Sequence, residues 1–298
     1  MTLPEDAGRE LDQALRRVAI EHQRAARAAE IAERHERQLS TDPASLNAFH
    51  QKMARMHRHA ERRHLAAARM HASFADRLHR WVEEADPQRA LPRFMATVAS
   101  AVGAHSAAVT LFGSDRTETL TAASDPIAQD AQDLEFTLGE GPARDATEQH
   151  RAVTAAGPGL LERWSAYGPA VTALGISSVM AVPVEISSVP FGALTVFDLP
   201  RQPAGEALES FYAAADTIAL SLLMAAGEAE PQENPDLLSL FGQADRRAVV
   251  HQAAGVLAEQ SGCAIPDALA LIRAHAFAEG EPVESVAADI VHHRLRLG

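Results

Sequence analysis

The sequence predicts a multi-domain chain that combines α and α+β architecture. It reads as an N-terminal helical hairpin or coiled coil (1–85), an α+β sheet domain (86–226), a short linker (227–235) and a C-terminal three-helix bundle (236–298). Three observations lead there. Two long apolar seams with steps of three and four residues fill the first eighty-odd positions, interrupted only at Ser40-Thr41-Asp42-Pro43. The period then shortens, and two strand-like runs, Ser177–Ile186 and Pro190–Leu199, stand side by side. The last fifty residues return to helical spacing in three short segments punctuated by Gly262, Pro266, Gly280 and Pro282.

The apolar fraction of 47% and charged fraction of 22% are those of a globular protein. A net charge of −13 argues against a general nucleic-acid or membrane-surface binder, because phosphate contacts need clustered Lys and Arg. The charge is uneven. Residues 1–85 carry fifteen basic and thirteen acidic side chains, residues 86–235 seven and nineteen, and residues 236–298 five and eight. Any affinity of the C-terminal bundle for a polyanion must therefore come from a few placed arginines and helix ends, or from dimerisation. The single cysteine, Cys263, excludes a disulfide framework within the chain and a Cys-based zinc site, and fits a reducing compartment. The acidic N-terminus lacks the apolar stretch of a signal peptide, and no apolar run approaches the roughly 18 residues that span a bilayer. The expectation is a cytoplasmic protein without a membrane partner.

Residues 8–39 read as a helix whose seam runs Leu11, Leu15, Val18, His22, Ala25, Ala29, Ala32, Glu36 and Leu39. Thr41 or Asp42 caps a second helix, Pro43 to Glu84, with the seam Leu46, Phe49, Met53, Met56, Ala60, Arg63, Ala67, Met70, Phe74, Arg77 and Trp81. Four histidines, His50, His57, His64 and His71, recur at sevens beside that seam. The plain reading is a solvated flank. The sharper ones are pH-dependent pairing, or a metal at His57, Glu61 and His64. Pairing within the chain and between chains both remain open.

Asp86-Pro87 caps a helix through Val102. Strands are expected at Ala107–Phe112, Glu118–Ala123 and Leu134–Leu138, with a further one at Arg151–Ala155. The turn Gly139-Glu140-Gly141-Pro142 launches a short helix at Ala143–His150, and Leu160–Leu174 reads as one helix. The late hairpin follows, with Ser187-Ser188-Val189 as its connection. Gly205–Ala226 closes the domain, presenting Leu208, Phe211, Tyr212, Ala215, Ile218, Leu222 and Leu223. In the C-terminal bundle, the first helix (Gln243 to Gln260) has the stripe Ala248, Val249, Gln252, Val256 and Leu257. The second carries Ala268, Leu271, Ile272 and Phe277, and the third Val286, Ala287, Ile290 and Val291.

Two resemblances follow from these residues. The patterns R-R-x-x-V-x-Q-A-x-G-V-L (Arg246 to Leu257), D-A-L-x-x-I-R (Asp267 to Arg273) and E-S-V-A-x-x-I-V (Glu284 to Val291) resemble the ANTAR domain, the RNA-binding output module of bacterial antitermination regulators. Family members usually carry a basic residue directly before the glycine of the first helix; this chain has Ala253-Ala254-Gly255. In the middle of the chain, L-G-E-G-P (Leu138 to Pro142), Arg163-Trp164, L-G-I-S-S-V-M-A-V-P-V (Leu174 to Val184) and F-G-A-L-T-V-F (Phe191 to Phe197) resemble GAF domains found upstream of ANTAR modules in actinobacterial regulators.

The resemblance implies a dimeric, signal-responsive regulator that binds paired RNA hairpins and prevents transcription termination. Arg246, Arg247, Gln252, Gly255, Arg273 and His275 are the candidate RNA-facing residues; each arginine reads equally as solvated helix surface. For a small-molecule pocket in the GAF-like domain, Trp164 and Tyr167 are the stacking candidates and Arg144 or Arg163 the anion partners, against the plainer reading of Trp164 as core. No catalytic constellation is expected. No Gly-Lys-Ser/Thr follows the Gly-Glu-Gly turn, no HExxH occurs, and no cysteine lies in 87–226 to attach a bilin, so neither cofactor nor metal is expected. The alternative is a protein–protein scaffold whose C-terminal module does not bind RNA.

Overall fold

A computed structural model describes residues 3–84, 93–113, 116–199, 206–227 and 246–297. The expected linker, the Asp86-Pro87 cap and the first residues of the Gln243 helix lie largely or wholly outside these. Helices α1 (Leu3–Thr41) and α2 (Asn47–Glu84), joined through a 3₁₀ turn at Ala44–Leu46, pack against each other as a hairpin within one chain. At 1.5 Å per residue each arm is nearly 60 Å long.

The hairpin seam matches the expected one in part: Ala25 and Ala32 of α1 and Ala67, Met70, Phe74 and Trp81 of α2 are buried as expected, and the rest differs. Along α1 the buried positions are Ala14, Arg17, Glu21, Ala25, Ala28 and Ala32, while Leu15 faces solvent. Along α2, His50, Ala54, Ala67, Ala68 and His71 are buried, whereas Leu46, Phe49 and Met56 are exposed. The histidines are part of the interface and not its flank. His64 meets Glu21 at 2.6 Å, His50 meets His35 and Asp42 at 3.0 Å each, and His71 contacts Ser221 at 3.1 Å. Toward the tip, alanines allow close approach of the helices and partnered polar groups tolerate burial, so Leu46, Phe49 and Met56 do not set the register there. Among the described residues no group of three metal-ligating side chains forms, so the His57, Glu61 and His64 option is not assembled.

The sheet domain follows α3 (Phe94–Ala101). Its five strands are β1 (Ser106–Phe112), β2 (Glu118–Ala123), β3 (Val153–Ala156), β4 (Ser178–Ile186) and β5 (Val189–Phe197), in the order β2-β1-β5-β4-β3, antiparallel throughout. One face packs on α2, α3 and α8 (Glu206–Gly227) through Met70, Phe74, Leu78, Phe94, Phe211 and Ile218. The base of the long hairpin is thus continuous with the core of the sheet. The other face carries α4 (Pro126–Leu138), α5 (Pro142–Gln149), α6 (Pro158–Arg163) and α7 (Tyr167–Ala173). In α8, Phe211, Ala215, Ile218 and Leu222 are buried as expected, while Tyr212 and Leu223 lie on the exposed side.

Leu134–Leu138 is the end of α4 and not a strand. Asp125 caps that helix, its carboxylate accepting from the Ala128 amide at 3.0 Å, and Pro126 occupies its first turn. Ala128, Ala131 and Glu135 then give a buried helical stripe that overrides the local β propensity. The expected single helix at Leu160–Leu174 is two, α6 and α7, because Trp164 adopts an extended conformation between them. The β4–β5 turn uses only Ser187 and Ser188, both at positive φ, so Ile186 pairs directly with Val189.

The C-terminal module comprises α9 (Arg246–Ser261), α10 (Ile265–Glu279) and α11 (Val283–Val291). Its core is Val250, Ala253, Ala254, Leu257, Leu269, Ile272, Ala276, Val286 and Ile290. The expected stripe of α11 is borne out, with Val286, Ala287 and Ile290 buried, and Leu257, Ala268 and Ile272 are also buried as expected; the rest of the α9 and α10 stripes is rotated, with Ala248, Gln252, Leu271 and Phe277 exposed, the last by 67%. Alanine-rich helices offer competing apolar stripes, and the packing selects the one that closes with its neighbours.

Candidate functional site

The Leu138–Pro142 segment organises the helix-covered face of the sheet. Gly139 ends α4 in the left-handed conformation at φ 71°, as a C-cap requires. The Glu140 carboxylate accepts from the amides of Ala166 and Tyr167 at 2.6 and 2.9 Å and so holds the start of α7. A Cβ at Gly141 would lie 2.5 Å from Glu135 Cδ, so only glycine admits the chain there. Pro142 then opens α5.

This geometry encloses a carboxylate. Glu135 is fully buried, accepts from the Arg144 amide at 2.8 Å, and shares its surroundings with the equally buried Glu118. Burial first, and the Glu118 charge second, push its pKa up to about 8 against the lowering effect of the Arg144 and Ala143 amides and the Arg144 charge. The Arg144 guanidinium lies 3.5 Å from Glu118 and 5.4 Å from the Phe112 ring centroid, and its Nε is buried without an acceptor. Arg144 also borders an open cavity of about 360 Å³ at the end of the sheet, walled by Phe112, Pro190 and Phe191.

Trp164 and Tyr167 sit in the apolar core beneath α4–α7, edge to face at 5.8 Å, and neither lines that cavity. The Tyr167 hydroxyl and Trp164 Nε1 are buried without a hydrogen-bond partner, and burial raises the Tyr167 pKa well above its usual value. Arg163 forms a surface pair with Asp145 at 3.0 Å and lies over the Trp164 ring, tying α6 to α5.

The C-terminal module rests on this same region. The Arg273 guanidinium lies 4.2 Å from the ring centroid of Phe136, the neighbour of Glu135, and Phe136 joins the module's apolar cluster. His251 Nε2 donates to the Glu118 carbonyl at 2.7 Å. Gln252 and Gly255 are exposed on α9, Gly255 with open space around it, and His275 is half-buried on α10. Arg246 and Arg247 begin α9, and their side chains lie outside the described residues. Ala254 is fully buried in the module core. Sequence reasoning missed Glu118, Glu135, Phe136 and His251. Buried glutamates leave no periodic signature, and a contact between modules leaves no local one.

The architecture defines a class: an α+β sheet domain whose helical face supports a separate three-helix module. Residues 86–222 match the GAF domain and residues 240–291 the ANTAR domain, a pairing that fits a GAF–ANTAR regulator. No curated protein matches the chain. Similar solved structures include a domain of a two-component sensor histidine kinase protein from Sinorhizobium meliloti 1021, at 15% identity over 45% of this chain and 92% of that one, with a TM-score of 0.37. Another is the GAF domain of a phosphoenolpyruvate-protein phosphotransferase from Acinetobacter, at 15% identity over 53% and 96%, with a TM-score of 0.33. Among the described residues no helix is long and apolar enough to cross a membrane.

Proposed function

We propose that this chain is a cytoplasmic, dimeric regulator, without catalytic activity, that binds RNA hairpins through its ANTAR module to prevent transcription termination under control of its GAF domain. The observation that carries the reading is the docking of the module on the sensor. Arg273, one of the few cations of an acidic module, is held against Phe136, and His251 is tied to β2. A change around Glu118 and Glu135 therefore reaches a group suited to phosphate or base contact. Arginine outnumbers lysine by twenty-six to one, which fits the actinobacterial origin the resemblance implies.

The test is a filter-binding titration of the full chain against paired RNA hairpins. Binding is expected to weaken steeply with salt, and Arg246→Ala with Arg247→Ala to lower both affinity and the salt slope. Phe136→Ala, which removes the platform under Arg273, is expected to strengthen binding. Absence of RNA binding at low salt by both the wild-type dimer and the Phe136→Ala variant overturns the proposal. The missing cation at Ala254 and the module's excess of acidic over basic side chains favour the scaffold reading, and capture of a protein partner through residues 1–85 by a chain that binds no RNA would establish it.

A further inference from the structure

The cavity bordered by Arg144 has the make-up of a ligand site. Its volume of about 360 Å³ lies in the range of small-molecule pockets. Its walls divide by chemistry. Phe112, Val189, Pro190 and Phe191, from the facing ends of β1 and β5, supply flat apolar surface, and the α5 side supplies Arg144. Arg116 and Glu148 pair with each other at the rim at 3.4 Å. Arg144 differs from a surface arginine. Its side chain is only 19% exposed, and its fixed partners are Glu118 at one Nη and the Arg116 carbonyl at the other, both at long range, 3.5 and 3.4 Å. With Nε lacking an acceptor, the fork is not saturated. A planar fork of this kind matches a carboxylate in two-point contact.

Charge narrows the class. Glu148 stands at the rim, and Glu118 and Glu135 lie directly behind Arg144. Glu135 holds its proton and adds no charge, while Glu118 and Glu148 match Arg144 and Arg116 and leave no positive surplus, which disfavours a dianion such as a phosphate ester more than a single carboxylate. The space beneath α4–α7 is filled by Trp164, Tyr167 and small side chains. Resting on the reading of the GAF domain as a small-molecule sensor, we propose that this cavity binds a flat, apolar monocarboxylate, its ring between Phe112 and Phe191 and its carboxylate on Arg144. Binding makes the ligand compete with Glu118 for the guanidinium. Glu118 is the residue whose carbonyl holds His251, so the site adjoins the contact between sensor and module.

The probes are 2-naphthoate, its neutral analogue 2-naphthamide, and inorganic phosphate, each titrated into the full chain by ligand-observed NMR without RNA. Naphthoate is expected to bind saturably, roughly tenfold or more tighter than naphthamide, since a charge-assisted pair of bonds is at stake. Phosphate is expected not to compete. Val189→Asp puts a negative charge at an exposed position on the cavity lip and also removes part of the apolar wall, so it is expected to weaken both ligands, naphthoate roughly tenfold more than naphthamide. Arg144→Gln is expected to weaken naphthoate roughly tenfold and leave naphthamide unchanged; if it does not fold, Val189→Asp decides. Equal affinity for naphthoate and naphthamide, competition by phosphate, or equal loss of the two affinities in Val189→Asp overturns the proposal. Because no RNA is present, failure here is distinguishable from failure of the RNA titration.

Discussion

Two buried titratable side chains set opposite pH limits on the sheet domain. Glu135 holds a proton up to about pH 8 in the fold, whereas the unfolded carboxyl releases it near 4.5. The folded state therefore binds the extra proton between these values, and this group's contribution to stability falls as pH rises through that window, by about 1.4 kcal/mol per unit at most. His71 acts in the other direction. Burial, and then Arg17, lower its pKa from 6.5 to about 3, so its contribution is complete above 6.5 and is lost as pH falls toward 3. The neutral ring has a defined role: Ser221 donates its hydroxyl to the Thr217 carbonyl, so His71 donates from Nε2 to Ser221. Glu135→Gln keeps an acceptor for the Arg144 amide and removes the ionisation. Thermal melts from pH 5 to 9 are expected to show a variant that gains on wild type as pH rises; parallel curves would mean that Glu135 titrates normally.

At the scale of elements, the connection between α4 and α5 was legible as a motif before its purpose was. The Leu-Gly-Glu-Gly-Pro run reads in sequence as a turn, and each residue has a task that only packing assigns: Gly139 as a cap, Glu140 as an acceptor for α7, Gly141 as a space for Glu135. Gly141→Ala is expected to cost about 1–3 kcal/mol in denaturant unfolding, because Glu135 is fully buried and has nowhere to move. The β4–β5 hairpin and α8 were equally legible, since long runs with one dominant period fix both type and face. Leu134–Leu138 was not, because a five-residue apolar run carries no period of its own and the cap that decides it lies nine residues upstream at Asp125. The stripes of α1, α9 and α10 rotated for a related reason: alanine offers nearly equal faces, and burial of His50, His71 and Arg17 follows from partners on other elements. In the candidate site, Arg144 was legible as a cation beside a turn, while Glu118 and Glu135 became visible only when β2 and α4 met.

For the whole molecule, the question is whether the long hairpin is an appendage or part of the sensor. Its two ends answer differently. Near the tip, contacts join the two arms to each other: Arg58 to Glu36 at 2.8 Å, and His35 to His50. At the base, Met70, Phe74, Leu78 and Ala14 share one apolar cluster with the sheet, Phe94 and Phe211, and Arg17 donates to the Ser221 carbonyl of α8 at 3.3 Å. Removing residues 1–85 therefore strips one wall from the core of the sheet domain. Replacing only residues 26–60 with a short turn leaves that wall in place, because Glu21 and His64 already face each other at 2.6 Å across the cut. The shortened chain is expected to unfold in a single cooperative transition within a few degrees of the full one, while the 1–85 deletion aggregates or loses cooperativity. Light scattering on the same pair tests the proposed dimer: a full chain that is dimeric beside a shortened chain that is monomeric would place self-association at the tip. A 1–85 deletion that melts cooperatively near the wild-type temperature would show the hairpin to be a separate unit, and its shared cluster with Phe94 and Phe211 to be dispensable.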